Sequence, residues 1–362
     1  MKDEKKVPKL RFKGFADDWE QCKLGDVADR FDNLRVPITA NLRKNGDTPY
    51  YGANGIQDYV DGYTHDGEYI LVAEDGANNL KNYPINYVSG RIWVNNHAHV
   101  LQAIPYLAST RFLGYEIGRS NIVSLLVGGG RAKLNADALM NMNLNLPKIK
   151  EQELIADLFQ KVEISITLHE EKKHQLESLK SALLQKMFAN KNGYPTVRFE
   201  GFSNEWEHCK LGDVADITTG SRNHQDSVTD GKYPFFVRSD KVERLNEYDF
   251  DTKAILVPGD GRIGEIFHYY NGKFALHQRV YKVDNFNGIN ELFLLGLFKY
   301  SFKEHALRLN AQGTVPSLRL PMFTNWSISV PMITEQERIG VFFQKLEQTI
   351  SLYDHKLELL KK

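Results

Sequence analysis

Trp19-Glu20-Gln21-Cys22-Lys23-Leu24-Gly25-Asp26-Val27-Ala28-Asp29 returns later in the chain as Trp206-Glu207-His208-Cys209-Lys210-Leu211-Gly212-Asp213-Val214-Ala215-Asp216. The stretch just before it repeats at the same offset. Pro8-Lys9-Leu10-Arg11-Phe12-Lys13-Gly14-Phe15 becomes Pro195-Thr196-Val197-Arg198-Phe199-Glu200-Gly201-Phe202. Similarity at one fixed offset marks a duplicated unit. Cys22 and Cys209 are each other's repeat equivalents, so they read as structural positions in two copies, not as a disulfide pair.

A second block closes each copy. Pro147-Lys148-Ile149-Lys150-Glu151-Gln152-Glu153 matches Pro331-Met332-Ile333-Thr334-Glu335-Gln336-Glu337, and each opens a long helical pattern. In the second copy Ile339, Phe343, Leu346, Ile350, Tyr353, Leu357 and Leu360 recur at alternating steps of four and three, the spacing of a coiled-coil seam. In the first copy Ile155, Phe159, Val162, Ile166 and Leu176 hold the same phase, which continues through Leu179, Leu183 and Met187. His169 and Lys173 interrupt it within the polar run His169 to His174, which reads as a solvated, loosened stretch or as a register device. The second helix stops at Lys362, the equivalent of Ser178, about ten residues short of the first.

Between these blocks the two halves diverge. Tyr69 to Val72, Arg91 to Val94, Ala254 to Val257 and Arg279 to Val283 read as strands punctuated by Gly, Asn and Asp. The expected fold is α+β. Two similar mixed α/β domains alternate with two long helices, over residues 1–146, 147–190, 191–330 and 331–362. The helices can pack as an antiparallel coiled coil, relating the halves by a pseudo-twofold axis. A helix of about 33 residues is about 50 Å long, enough to act as a ruler between two heads.

Composition sets limits. In 362 residues, 46 basic side chains balance 46 acidic ones, which argues against a generic polyanion binder but not against local basic patches. With 20 Phe and 17 Tyr the chain collapses. The N-terminus leads into no apolar core and no apolar run approaches a membrane span, so a cytoplasmic protein with no membrane partner is expected. No CxxC occurs, and zinc is not expected.

Catalytic motifs are missing. Gly259-Asp260-Gly261-Arg262-Ile263-Gly264 satisfies GxGxxG, but the aromatic run that follows reads as a strand where a dinucleotide site needs a helix. Asp75-Gly76 and Asp260-Gly261 read instead as one repeated hairpin turn. No P-loop, GxSxG, HExxH or amino-methyltransferase tetrapeptide is present. What remains is a set of polar loops. Asn and Gln can pair bidentately with adenine and Arg with guanine. The first half offers Arg35, Arg43, Lys44, Asn54, Asn78, Asn79, Lys81, Asn95, Asn96 and His97, then Gly129, Gly130, Arg131 and Lys133. The second offers Ser221, Arg222, Asn223, His224, Arg238, Ser239, Lys241 and Arg262, then His277, Gln278, Arg279, Gln312, Thr314 and Ser317.

These signatures together resemble the specificity subunit of type I restriction-modification systems. The resemblance rests on the repeated opening from Pro8 to Asp26 and from Pro195 to Asp213. It rests also on the Pro-x-x-x-Glu-Gln-Glu blocks and on Gly-x-x-x-x-Leu at Gly129 to Leu134 and Gly313 to Leu318. It implies that each variable block is a target recognition domain, each helix a conserved spacer, and the chain a subunit without a catalytic centre. It further implies double-stranded DNA and two copies of the modification (methyltransferase) subunit as partners, joined by restriction/translocase subunits. This chain itself would bind no cofactor. S-adenosylmethionine would come with the modification subunit, and ATP and Mg with the restriction subunit. Two other readings compete: a single-chain restriction or methylation enzyme, and a scaffold that holds proteins and not DNA.

Overall fold

The computed structural model describes residues 8–128, 132–189, 193–310 and 316–362. The chain divides into two compact units, residues 1–165 and 166–362. The division falls inside one of the long helices.

Unit 1 is built on a six-stranded sheet. Its strands are β2 (Ala28–Arg30), β3 (Asn45–Gly52), β4 (Gly55–Val60), β5 (His65–Ala73), β6 (Ile85–Val94) and β7 (Ala98–Ala103), in the order β2-β7-β5-β6-β3-β4. A two-stranded clasp pairs β1 (Glu20–Lys23) with β8 (Asn143–Leu146), joining the opening motif to the end of the variable block. Helix α1 (Thr110–Arg119) covers the sheet, with the Ser109 hydroxyl accepting from the Phe112 amide at 3.4 Å as its N-cap. The main core gathers Leu24, Ile70, Val72, Leu101, Phe112 and Leu144.

Unit 2 repeats the clasp and the six-stranded sheet. Its clasp pairs β9 (Glu207–Lys210) with β16 (Ser327–Val330). Its sheet runs β10 (Asp216–Thr219), β15 (Val280–Asp284), β13 (Phe250–Pro258), β14 (His268–Leu276), β11 (Tyr233–Phe236) and β12 (Val242–Leu245), the same order as in unit 1. Helix α3 (Glu291–Leu297) takes the place of α1, capped by Asn290. Cys22 and Cys209 occupy corresponding clasp positions, facing Leu144 and Ile328, and both are free thiols.

The repeated Glu-Gln pair has a physical purpose in each copy. Arg11 makes a bidentate pair with Glu151 at 2.6 and 2.8 Å, and Arg198 makes the same pair with Glu335 at 2.7 and 2.7 Å. Gln152 and Gln336 are buried, donate to the carbonyls of Pro147 and Pro331 at 2.8 Å, and accept from the Ser109 and Asn290 amides. Opening motif, helix α1 or α3, and the start of the long helix are thereby tied together twice over.

The long helices are α2 (Ile149–Met187, 39 residues) and α4 (Ile333–Leu360, 28 residues). Within unit 2 the end of α2 and α4 pack antiparallel. His169 lies against Tyr353 with ring centroids 5.5 Å apart, Lys173 pairs with Asp354 at 2.6 Å, and Lys180 pairs with Glu347 at 2.8 Å. His169 and Lys173 are therefore not a solvated stretch. They sit in the seam and are matched to the other helix, which is the register reading of that run. Leu183 packs on the unit 2 core with Ile339 and Phe343, while Val162, Ile166, Leu176, Leu346, Ile350, Tyr353 and Leu360 are half-buried and Leu357 is buried. Phe159 departs from the expected seam. It is 45% exposed: Tyr115 of α1 meets its edge, but among the described residues of its unit no second long helix pairs with α2 there.

Candidate nucleic-acid interface

Strand β3 runs parallel to β6, with Tyr51 beside Val94, so the chain leaves both strands at one edge of the sheet. Asn95-Asn96-His97 forms the turn from β6 to β7. The Asn95 amide donates to Tyr51 O at 3.0 Å, and its side-chain oxygen accepts from the His97 amide at 2.8 Å. The loop after β5 is drawn in by the Glu74 amide donating to His97 O at 2.9 Å. Lys133 reaches the same place through a bridge to Asp75 and a 2.8 Å ion pair with Glu74. Asn54 closes the group, donating to Gly76 O and accepting from the Asn78 amide, both at 2.9 Å. His97 lies 2.5 Å from an Asp75 oxygen. Asn54, Asn78, Asn96, His97 and Lys133 are all exposed.

The same scaffold recurs in unit 2 with other side chains. β11 is parallel to β14, and His277-Gln278-Arg279 forms the turn from β14 to β15. The His277 amide donates to Phe236 O at 3.0 Å, and its Nδ1 accepts from the Arg279 amide at 2.9 Å, reproducing the Asn95 turn with an imidazole. That geometry needs a neutral ring. Burial, with Arg238 nearby, holds His277 below the ordinary imidazole value. The Gly259 amide donates to Arg279 O at 2.7 Å, Asp260 bridges to Ser317, and Arg238 pairs with Asp260 at 3.3 Å. Gln278 donates to Asn223 Oδ1 at 2.8 Å. Asn223, His224, Arg238, Gln278 and Arg279 line one shallow cleft of about 280 Å³. Gly76 and Gly261 have φ of 69° and 78°, so the turn after β5 is repeated as expected. It is, however, the first turn of a longer loop and not a two-residue hairpin.

Several basic residues of the sequence set are occupied within their own unit. Arg35 bonds Glu74 at 2.7 Å and Ala98 O at 2.8 Å. Arg43 stacks on Tyr50 and pairs with Asp58. Arg222 pairs with Asp249 and Glu247, both at 2.9 Å. These three hold loops in place through carboxylates and carbonyls of their own unit. Arg262 is bound to Glu265 at 2.9 Å. Asn79 caps its own loop by accepting from the Lys81 and Asn82 amides. Ser239 Oγ donates to Lys241 O. Lys44, Lys81, Ser221 and Lys241 are exposed. Gly129, Gly130, Arg131, Gln312 and Thr314 lie outside the described residues.

The residues that lock each turn escaped the sequence reading. Buried His99 on β7 places one ring nitrogen 2.7 Å from Asp32 and the other 2.9 Å from Leu134 O, beside Glu74 and Arg35. Asp32, Glu74 and His99 could be read as a metal site. Their atoms are already engaged, since both ring nitrogens face oxygen acceptors and Arg35 and Lys133 neutralise the carboxylates. Burial pushes both carboxyls up, but the hydrogen bonds and cations around them outweigh it and hold both low. In unit 2 the position of His99 is taken by Tyr281, whose hydroxyl donates to Leu318 O at 3.1 Å. Gly259 stands where unit 1 has Glu74, and a Cβ there would meet the Tyr281 ring at 3.0 Å.

Among the described residues no helix is long and apolar enough to cross a membrane. Residues 16–178 and 203–362 each match the family model described as type I restriction modification DNA specificity domain. A type I restriction enzyme specificity subunit from Haemophilus influenzae is 31% identical over 96% of this chain and 92% of its own length. One from Mycoplasma pneumoniae is 24% identical over 85% of this chain and 84% of its own. Among solved structures, the type I restriction-modification S subunit of M. genitalium superposes with a TM-score of 0.77 at 16% identity. That match covers 98% of this chain and 96% of the other.

Proposed function

Because the chain belongs to the type I restriction-modification DNA specificity family, with two specificity domains, we propose that each domain reads one half of a bipartite DNA site. The observation that carries this is the pair of turns Asn95-Asn96-His97 and His277-Gln278-Arg279. They occupy one position in two sheets of identical strand order, yet offer different hydrogen-bonding groups. Asn96, Gln278 and Arg279 have the donor and acceptor sets that pair with base edges. The halves of the site are therefore unlike, and the target is asymmetric.

The chain acts as the reading part of a larger enzyme. Its loop clusters present hydrogen-bonding groups suited to reading, and the chemistry is left to its partners. Methyl transfer to adenine belongs to the modification subunits, which bring S-adenosylmethionine and extrude the base from the duplex. ATP and Mg enter with the restriction subunits. A chain with no net charge neutralises few phosphates, so much of the affinity for DNA comes from these partners. The helices set the gap between half-sites.

The test is the methylated motif written by this chain with its cognate modification subunit. Replacing Gln278 and Arg279 by Ala relaxes one half-site and leaves the other as it was. Replacing Asn96 and His97 does the reverse. Both pairs are exposed at a turn, so neither change removes core packing.

A further inference from the structure

The start of α2 carries an apolar groove that its repeat counterpart lacks. In unit 1 a groove of about 900 Å³ opens between Phe12, Trp19, Phe112, Tyr115, Leu158 and Phe159. Phe159 is 45% exposed and Leu158 46%. In unit 2 the equivalent of Phe159 is Phe343, only 5% exposed, and the equivalent of Trp19 is Trp206, 1% exposed. The difference has a visible cause. In unit 2 the C-terminal turns of a helix, with Leu183, Leu184, Met187 and Phe188, lie on this face and join its core. The Phe188 ring stacks on Phe343 with centroids 5.9 Å apart, and Lys180 of the same helix pairs with Glu347. Glu163 is the equivalent of Glu347, so unit 1 has both the apolar floor and the acidic anchor.

We propose that this groove of unit 1 is a docking site for the C-terminal turns of an amphipathic helix from another protein chain, running antiparallel to the first turns of α2. The occupant carries a Lys one turn before a Leu-Leu pair, so that the ammonium meets Glu163 and the leucines cover Phe159 and Leu158. It differs from the unit 2 occupant in one respect. Gly296 leaves room for Phe188, since a Cβ there would lie 2.7 Å from its ring. Unit 1 has Tyr115 at that position, in edge contact with Phe159 at 5.1 Å and donating to Glu163 at 2.8 Å. Tyr115 fills part of the aromatic's place, so a small residue is required where the unit 2 helix has Phe188.

The probe is a synthetic peptide of residues 174–189 carrying Phe188→Ala, titrated into the intact chain and photo-crosslinked from the Met187 position. Binding is expected, with crosslinks to segments 8–19 and 112–119. At least a tenfold loss is expected for Leu184→Asp in the peptide, and the same for Phe159→Asp in the chain. Phe159 is 45% exposed, and circular dichroism with a thermal melt checks that the variant is folded before titration. Absence of binding, equal affinity for the Phe159→Asp chain, or crosslinks confined to segments 206–214 and 293–300 would overturn the proposal.

Discussion

The turn from β6 to β7 and the turn from β14 to β15 share one backbone plan and are locked by opposite chemistry. In unit 1 the lock is ionic: His99 and Arg35 clamp Asp32 and Glu74 beneath the turn. In unit 2 it is aromatic: Tyr281 lies over Gly259 and donates to Leu318 O. Each lock ends on the same carbonyl, since His99 reaches Leu134 O and Tyr281 reaches Leu318 O. The difference teaches that duplication preserved the frame and left the support of these turns free to diverge. A domain whose loops must present new groups can change what lies under them, provided the sheet and the clasp keep their order.

The common frame carries the largest expected effect. Glu151 and Glu335 are buried, and each holds its arginine through two short bonds. Replacing either by Ala removes both bonds and frees the arginine at a part-buried site, and should cost its unit more stability than the loss of either turn lock. Denaturant titration of both variants tests whether the units are equivalent here. A loss in one and none in the other would break the parallel between them.

The locks come next, and here the units should differ. His99→Phe removes the ring contact to Asp32 and the one to Leu134 O at a buried site and should cost about 1–3 kcal/mol. Tyr281→Phe removes one neutral hydrogen bond and should cost about 0.5–1.5 kcal/mol. Equal losses would mean the ionic lock is no more than a spatial substitute for the ring.

Acid should separate the units more gently. Asp32 and Glu74 ionise below their ordinary values in the folded chain. The stability they contribute is fully present above the unfolded carboxyl range, near about 4, and is lost as pH falls through the lower folded values. Hydrogen-exchange protection should therefore fall in β7 before β15 as pH drops below about 4. Earlier loss in β15 would contradict the assignment.

Much of this frame was legible in the residues. A constant offset from Trp19 to Trp206 fixed the duplication, and the Pro-x-x-x-Glu-Gln-Glu blocks marked both helices. Asn95 to His97 and His277 to Arg279 are two of many polar clusters in the sequence, and only the fold sets them at one position in two sheets of the same order. The locks stayed hidden. His99 and Tyr281 sit inside strands, differ in chemistry, and act through partners about 35 residues away at Leu134 and Leu318. Arg35 and Arg222 show the opposite limit. An arginine in a polar loop gives no sign of its partners in the sequence, and only the fold shows the carboxylates beside it. His169 and Lys173 were hard to place because polar residues in a helical seam look the same whether solvated or matched.

The most direct test is to sequence N6-methyladenine across the genome of a methylation-free bacterial host expressing this chain with its cognate modification subunit. The account predicts a split motif of two unlike short half-sites, absent without this chain. The two turn variants should each alter one half-site alone. A single uninterrupted motif, or a motif unchanged by both turn variants, would contradict it.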